Sequence, residues 1–142
     1  MPITDDELIA AAAQALNPRQ LADGSWVADV GAAVEADDGR IFTGASIGGY
    51  LSVCAEQSAL TQLVSTTAPR IRRVVAVWRD PADGVLHVLP PCGRCREYMR
   101  VLDQANLDAQ VILGPDHTSA LADLLPLPGW HAEPVHGPGA GA

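Results

Sequence analysis

Two short clusters in this 142-residue chain carry residue types that can do chemistry together: Cys54-Ala55-Glu56 and Pro91-Cys92-Gly93-Arg94-Cys95. Each stands where a helical pattern begins, so the sulfurs fall near helix N-termini, whose positive dipole ends favour the thiolate. Thiolates bind soft and borderline metals, and three of them at ~2.3 Å suit Zn²⁺, which takes four ligands in a tetrahedron. A structural zinc is closed by a fourth protein ligand, whereas a catalytic one keeps that position for water. Three thiolates and one Zn²⁺ sum to a negative charge, which makes bound water harder to deprotonate than at a tris-histidine site. A base is therefore needed beside the metal, and Glu56, two positions past Cys54, is the candidate. Both side chains can face one point only if Cys54 sits at the cap, outside the first helical turn.

Two other readings fit the same residues. His87, the nearest histidine in sequence, would complete a closed Cys₃His structural site in a protein that is not an enzyme. Cys92 and Cys95 alone, as Cys-x-x-Cys, would serve thiol redox chemistry. Metal content separates the redox reading from the other two, and catalytic turnover separates those.

The elements that position these clusters follow from hydrophobic periodicity. Residues 2–16 are helical, opened by a Thr4/Glu7 capping box and stopped at Asn17-Pro18. Trp26–Ala36 and Arg40–Ile47 are strands joined at Asp38-Gly39, a hairpin signal because both residues tolerate positive φ. A second helix follows Cys54 and ends before Pro69. Arg73–Arg79 is a strand buried on both faces, and Val85–Leu89 a short one. A third helix runs from Arg96 to Gln104, Val111–Leu113 is a further strand, and Thr118 caps a helix over Ser119–Leu125. This order predicts an α/β fold: one domain over residues 1–131 with a mixed sheet between helices, then a disordered Gly/Pro/Ala tail over 132–142.

Composition narrows the function. The chain has 48% hydrophobic residues, a formal net charge of -8, and nine basic residues that are all arginine and scattered. A nucleic-acid polymer is a poor partner for such a chain, because binding needs clustered cations to displace phosphate counterions. No apolar run approaches the ~18 residues that span a bilayer. An odd set of three cysteines without an export signal predicts a reducing, cytoplasmic setting and no membrane association.

Taken jointly, the two cysteine clusters form the zinc-deaminase signature, here with cysteine as first ligand. With Val30-Gly31-Ala32-Ala33, Asp38-Gly39-Arg40-Ile41-Phe42-Thr43-Gly44, Arg96 and Leu124-Leu125-Pro126, the chain resembles the cytidine deaminase family over residues 20–130, and most closely its blasticidin-S deaminase branch. The resemblance implies a three-layer α/β/α sandwich with a five-stranded mixed sheet, assembled as a homotetramer. It implies one Zn²⁺ per chain held by Cys54, Cys92 and Cys95, and hydrolytic loss of ammonia from C4 of a cytosine-like small molecule. Cytidine, deoxycytidine, a nucleoside antibiotic such as blasticidin S, or another aminated heterocycle would be the substrate. Glu56 would protonate ring N3 and then the leaving amine, and the Ala55 N–H would bond the ring's polar edge. Phe42 and Trp130 would wall the ring.

The departures concern the sugar. Nucleoside deaminases of this family hold ribose with an Asn and a Glu two residues apart, where this chain has Ser46 and Gly48. Ser46 is left as the substrate contact there. The blasticidin branch has a serine in place of Ala28 and an asparagine in place of Ser46. Gln57 replaces an arginine that donates to the sulfurs, a role Arg94 or Arg96 would take over.

Overall fold

The computed structural model describes residues 2–129 and 133–135. Helix α1 (Asp5–Gln14) begins where expected: Thr4 Oγ1 accepts from the Glu7 N–H at 3.1 Å and Glu7 Oε2 accepts from the Thr4 N–H at 2.7 Å. Strands β1 (Arg19–Gln20), β2 (Trp26–Ala36) and β3 (Ile41–Ile47) follow. The hairpin between β2 and β3 turns at Asp38-Gly39, with Gly39 at φ +91°, a conformation that glycine adopts without penalty. Then come α2 (Ala55–Val64), β4 (Ile71–Arg79), β5 (Leu86–Leu89), α3 (Gly93–Leu102), β6 (Gln110–Gly114) and β7 (His117–Ala120).

The five expected strands, β2 to β6, make up most of one mixed sheet. β2 lies between β3 and β4, antiparallel to both, and β4 pairs antiparallel with β5 and parallel with β6. The short β1 and β7 extend it to seven strands. β7 is a correction to the expected 119–125 helix. Thr118 pairs with Ile112 across a tight hairpin, and only a single 3₁₀ turn, Leu121–Leu124, follows. Backbone left open along the edge of β6 is satisfied better by a pairing strand than by one isolated helical turn. Helix α3 also starts earlier than expected, so Cys95 stands within its first turn.

Side chains of β4 alternate between two cores, as a strand covered on both faces must. Val75 and Val77 meet Leu8 and Ala12 of α1 on one face, while Val74 meets Leu60, Leu63 and Met99 from α2 and α3 on the other. The result is the α/β/α sandwich expected from the element order. The 132–142 expectation falls outside the described residues except at 133–135, and Trp130 lies outside them too.

Two buried polar groups tie the layers. Asn106, 1% exposed, is fully satisfied: its Oδ1 accepts from the Ile71 N–H at 2.8 Å, and its Nδ2 donates to the Pro69 and Met99 carbonyls at 3.0 and 2.8 Å. Glu35, 2% exposed on β2, pairs with Arg72 at 3.1 Å and with its cross-strand partner Arg73. Arg73 continues to Asp5 at 2.8 Å and to the Ile3 carbonyl at 2.6 Å, pinning the start of α1 to the sheet. Glu35 is the dry member of this cluster, while Arg72 and Asp5 keep contact with solvent, so its loss leaves chiefly Arg73 short of a partner. Glu35→Ala should therefore cost about 1.5–3 kcal/mol in urea unfolding, whereas an exposed control such as Asp83→Ala should stay within about 0.5 kcal/mol.

Candidate active site

Cys54 and Cys92 occupy the same structural position twice. Each is the extended N-cap residue of a helix, α2 and α3 respectively, with φ/ψ of -69°/150° and -68°/166°, and neither side chain caps its own helix by a hydrogen bond. Cys54 thus stands outside the first turn, as its joint use with Glu56 requires. Close packing fixes where α2 begins. A Cβ on Gly44 of β3 would come within 2.6 Å of the Ala55 carbonyl oxygen and 2.5 Å of the Ala59 nitrogen. Only glycine lets the helix approach the strand this closely.

The Cys54 and Cys92 sulfurs are 3.4 Å apart, and the fully buried Cys95 sulfur joins them so that all three lie within 4.8 Å of one another. Sulfurs on a tetrahedral zinc with ~2.3 Å bonds stand about 3.8 Å apart, so the spacing observed brackets the ion's requirement. The electrostatics agree. Burial pushes the Cys95 thiol far up, and the negative groups Glu56, Cys54 and Cys92 push in the same direction. Cys54 is raised too, again chiefly by burial. Cys92 is also opposed by burial, yet hydrogen bonding led by the Cys95 backbone N–H leaves it below the ordinary thiol value. Three sulfurs this close can all ionise only around a cation. The donor set fits zinc.

Among the described residues no fourth donor joins the three sulfurs. His87 is exposed on β5, its ring 5.5 Å centroid to centroid from Trp78, so the closed Cys₃His arrangement does not form there. The two arginines near the cysteines bond backbone carbonyls instead of serving as the expected donors to sulfur. Arg94 Nη1 donates to Ser52 at 3.1 Å. Arg96 donates to Pro91 at 2.8 Å through Nε and to Leu124 at 3.1 Å through Nη1, bracing the loop that carries Cys92. Gln57 lines a separate groove between α2 and α3, with Leu60, Val64 and Tyr98.

Beside the sulfurs lies a cavity of about 270 Å³, whose walls include Val30, Ile47, Val53, Ala76 and Leu89. Glu56, 5% exposed, and Ala55, 1% exposed, both line it. Burial raises the Glu56 carboxyl above its ordinary range, making it a better proton carrier near neutrality. Ala55 is the first residue of α2, and N–H groups in a helix's first turn have no intrahelical acceptor. Ser46 lines the cavity as expected. Phe42 does not: it packs against the α2-side core with Val34 and Leu60. Phe42 and Ser46 are four residues apart on β3, about 13 Å along a strand, so one strand cannot bring both to the same ring.

Asp29 was not apparent from the sequence. It lines the cavity and accepts a hydrogen bond from Ser46 Oγ at 2.9 Å, while Ser46 Oγ accepts from the Val30 N–H at 3.1 Å. An irregular β2 places it there. Val27 pairs with Ile47 but the next pair is Gly31 with Ala45, and Ala28 in between has φ +53°. A bulge of this kind re-aims a side chain that regular alternation would direct elsewhere. A non-glycine residue in the left-handed region is the local mark of it. Val-Ala-Asp-Val carries no such mark in sequence.

No family model matches the chain. Individual proteins do. Over 117 residues the chain is 37% identical to a protein described as cytidine deaminase from Mycobacterium tuberculosis, an alignment that covers 78% of this chain and 82% of that one. A Bacillus cereus blasticidin-S deaminase is 36% identical over 74 residues, 48% of this chain and 53% of its own. The crystal structure of the M. tuberculosis cytidine deaminase superposes with a TM-score of 0.69 at 30% identity, covering 89% of this chain and 98% of that one. A cytidine deaminase from Burkholderia pseudomallei gives 0.68 at 26% identity, covering 89% and 100%. Together with the sulfur cluster and the buried acid at two helix starts, these similarities mean that the chain belongs to the cytidine deaminase family.

Proposed function

We propose that this protein is a zinc-dependent hydrolase that removes the C4 amine of a cytosine-like ring as ammonia. One observation carries the reading: three sulfurs and one buried carboxylate converge at the starts of α2 and α3, beside one small, mostly apolar cavity. Zinc bound by Cys54, Cys92 and Cys95 would supply Lewis acidity and lower the pKa of water at the reacting carbon.

The chain's own residues do the rest. The apolar walls hold a flat heterocycle and keep bulk water out, which strengthens each polar contact inside. The Ala55 N–H at the start of α2 orients the ring's polar edge. Glu56 takes a proton from the attacking water, passes it to ring N3, and later delivers one to the departing amine. The balance closes as cytosine ring plus water giving uracil ring plus ammonia. A carboxyl raised by burial is matched to this cycle, because it must both accept and release protons near neutral pH.

Homotetrameric assembly belongs to the same reading. Apolar side chains exposed on α2 and α3, Val64 at 42%, Tyr98 at 41% and Val101 at 62%, offer a surface for a second copy. Three free cysteines in a ligand set support a cytoplasmic, reducing setting. Among the described residues no helix is long and apolar enough to cross a membrane.

Glu56→Gln preserves shape and hydrogen bonding but cannot shuttle protons. It should retain zinc and lose about 100-fold or more in kcat for ammonia release from cytidine, deoxycytidine, cytosine or blasticidin S. Full turnover by this variant overturns the role given to Glu56. Cys92→Ala should lose the metal in elemental analysis and lower the melting temperature, since ligand binding and folding are coupled. Zinc-loaded protein whose Cys92 and Cys95 still react freely with a thiol reagent would favour redox chemistry instead.

A further inference from the structure

We infer that Asp29 sets substrate specificity, selecting molecules whose ring bears a pendant group with a hydrogen-bond donor, either a hydroxyl or a cationic nitrogen. The inference deepens the deaminase reading and rests on it for the identity of the ring.

Asp29 and Glu56 are the two charged side chains lining the cavity beside the sulfurs, and no Lys or Arg lines it. Glu56 is committed to the reacting end by its place in the first turn of α2. Asp29 comes from β2, held by a single hydrogen bond from Ser46 to its Oδ1. An ionised carboxylate accepts through two oxygens and donates through neither. Ser46 cannot take over the contact. Its one hydroxyl proton goes to Asp29 and a lone pair is used by the Val30 N–H. A polar group that a ligand turns toward Asp29 must therefore bring its own proton.

Position 48 reinforces the assignment. A Cβ there would stand 2.6 Å from the Trp26 carbonyl oxygen, to which the Gly48 N–H already donates at 2.8 Å. No side chain enters at 48 unless β2 and β3 separate. The wall thus has one position from which an acid reaches the ligand, and the β2 bulge supplies it. Asp29 also borders a second cavity of about 500 Å³, lined with Pro18, Trp26, Trp78, Arg79 and Pro81, so a pendant group has room beyond the carboxylate.

The test compares cytidine and 5′-amino-5′-deoxycytidine with 1-methylcytosine, which keeps the ring and lacks the donors. Wild-type protein should prefer the donor-bearing substrates in kcat/KM. Asp29→Ala should reduce that preference about 10- to 100-fold, the usual worth of a hydrogen bond to a charged group. Asp29→Leu, which keeps the branched shape without a polar atom, should do the same and controls for the space that Asp29→Ala opens. Asp29→Asn separates the two donors: it should keep most of the preference for a hydroxyl and lose that for a cation. Calorimetric binding of the products uridine and 1-methyluracil to zinc-loaded protein repeats the comparison without chemistry. If no ring releases ammonia yet uridine is preferred in an Asp29-dependent way, the deaminase reading fails and the role of Asp29 stands. Wild-type protein that does not distinguish the pairs, or a preference that survives Asp29→Ala and Asp29→Leu within about twofold, overturns it.

Discussion

Negative charge held at close quarters is the constraint on which the rest of this structure depends. Three sulfurs lie within 4.8 Å of one another, with a buried carboxylate on the same cavity, an arrangement that would disperse or protonate without a cation. The fold meets it by starting two helices at one point, so that backbone N–H groups face the charges. Two contacts serve that meeting of helix starts: the missing side chain at Gly44 lets α2 down onto β3, and Arg96 ties the Pro91 carbonyl before α3 to the Leu124 carbonyl.

The same economy of charge appears on the far side of the sheet. Glu35 and Arg73 face each other across β2 and β4, and Arg73 reaches on to Asp5 and Ile3. A contact between residues 68 positions apart in sequence couples α1 to the sheet beneath it. Leu8 and Ala12 pack α1 on the sheet, with the Ala12 carbonyl close to Gly31, and the ionic cluster adds a polar tie at the helix's first turn.

Local chemistry was legible in the sequence, and long-range geometry was not. The Thr4/Glu7 box, the Asp38-Gly39 hairpin and the uninterrupted apolar run of β4 each carry their cause within a few residues, and each is where the sequence puts it. The meeting of the Cys54, Cys92 and Cys95 sulfurs, with Glu56 on the same cavity, was legible because spacing and residue type together limit the arrangement. The 117–124 segment misled because Thr118 is as good in a strand as at a helix cap, and only the open edge of β6 decides between them. Phe42 misled because a strand's facing depends on its partner: it lies opposite Val34 and beneath α2. Asp29 and Asn106 are not legible in the sequence, because their positions depend on a bulge and on three distant backbone groups, neither of which leaves a local pattern.

The tight approach at Gly48 bears on how this chain could change over time. With the Trp26 carbonyl occupying the place of a Cβ, a single replacement at 48 must push two paired strands apart before it can offer a new contact. Positions 29 and 46 carry no such obstacle, since both already hold side chains at the cavity. Divergence in what the pocket accepts, natural or engineered, has its open road through those two residues.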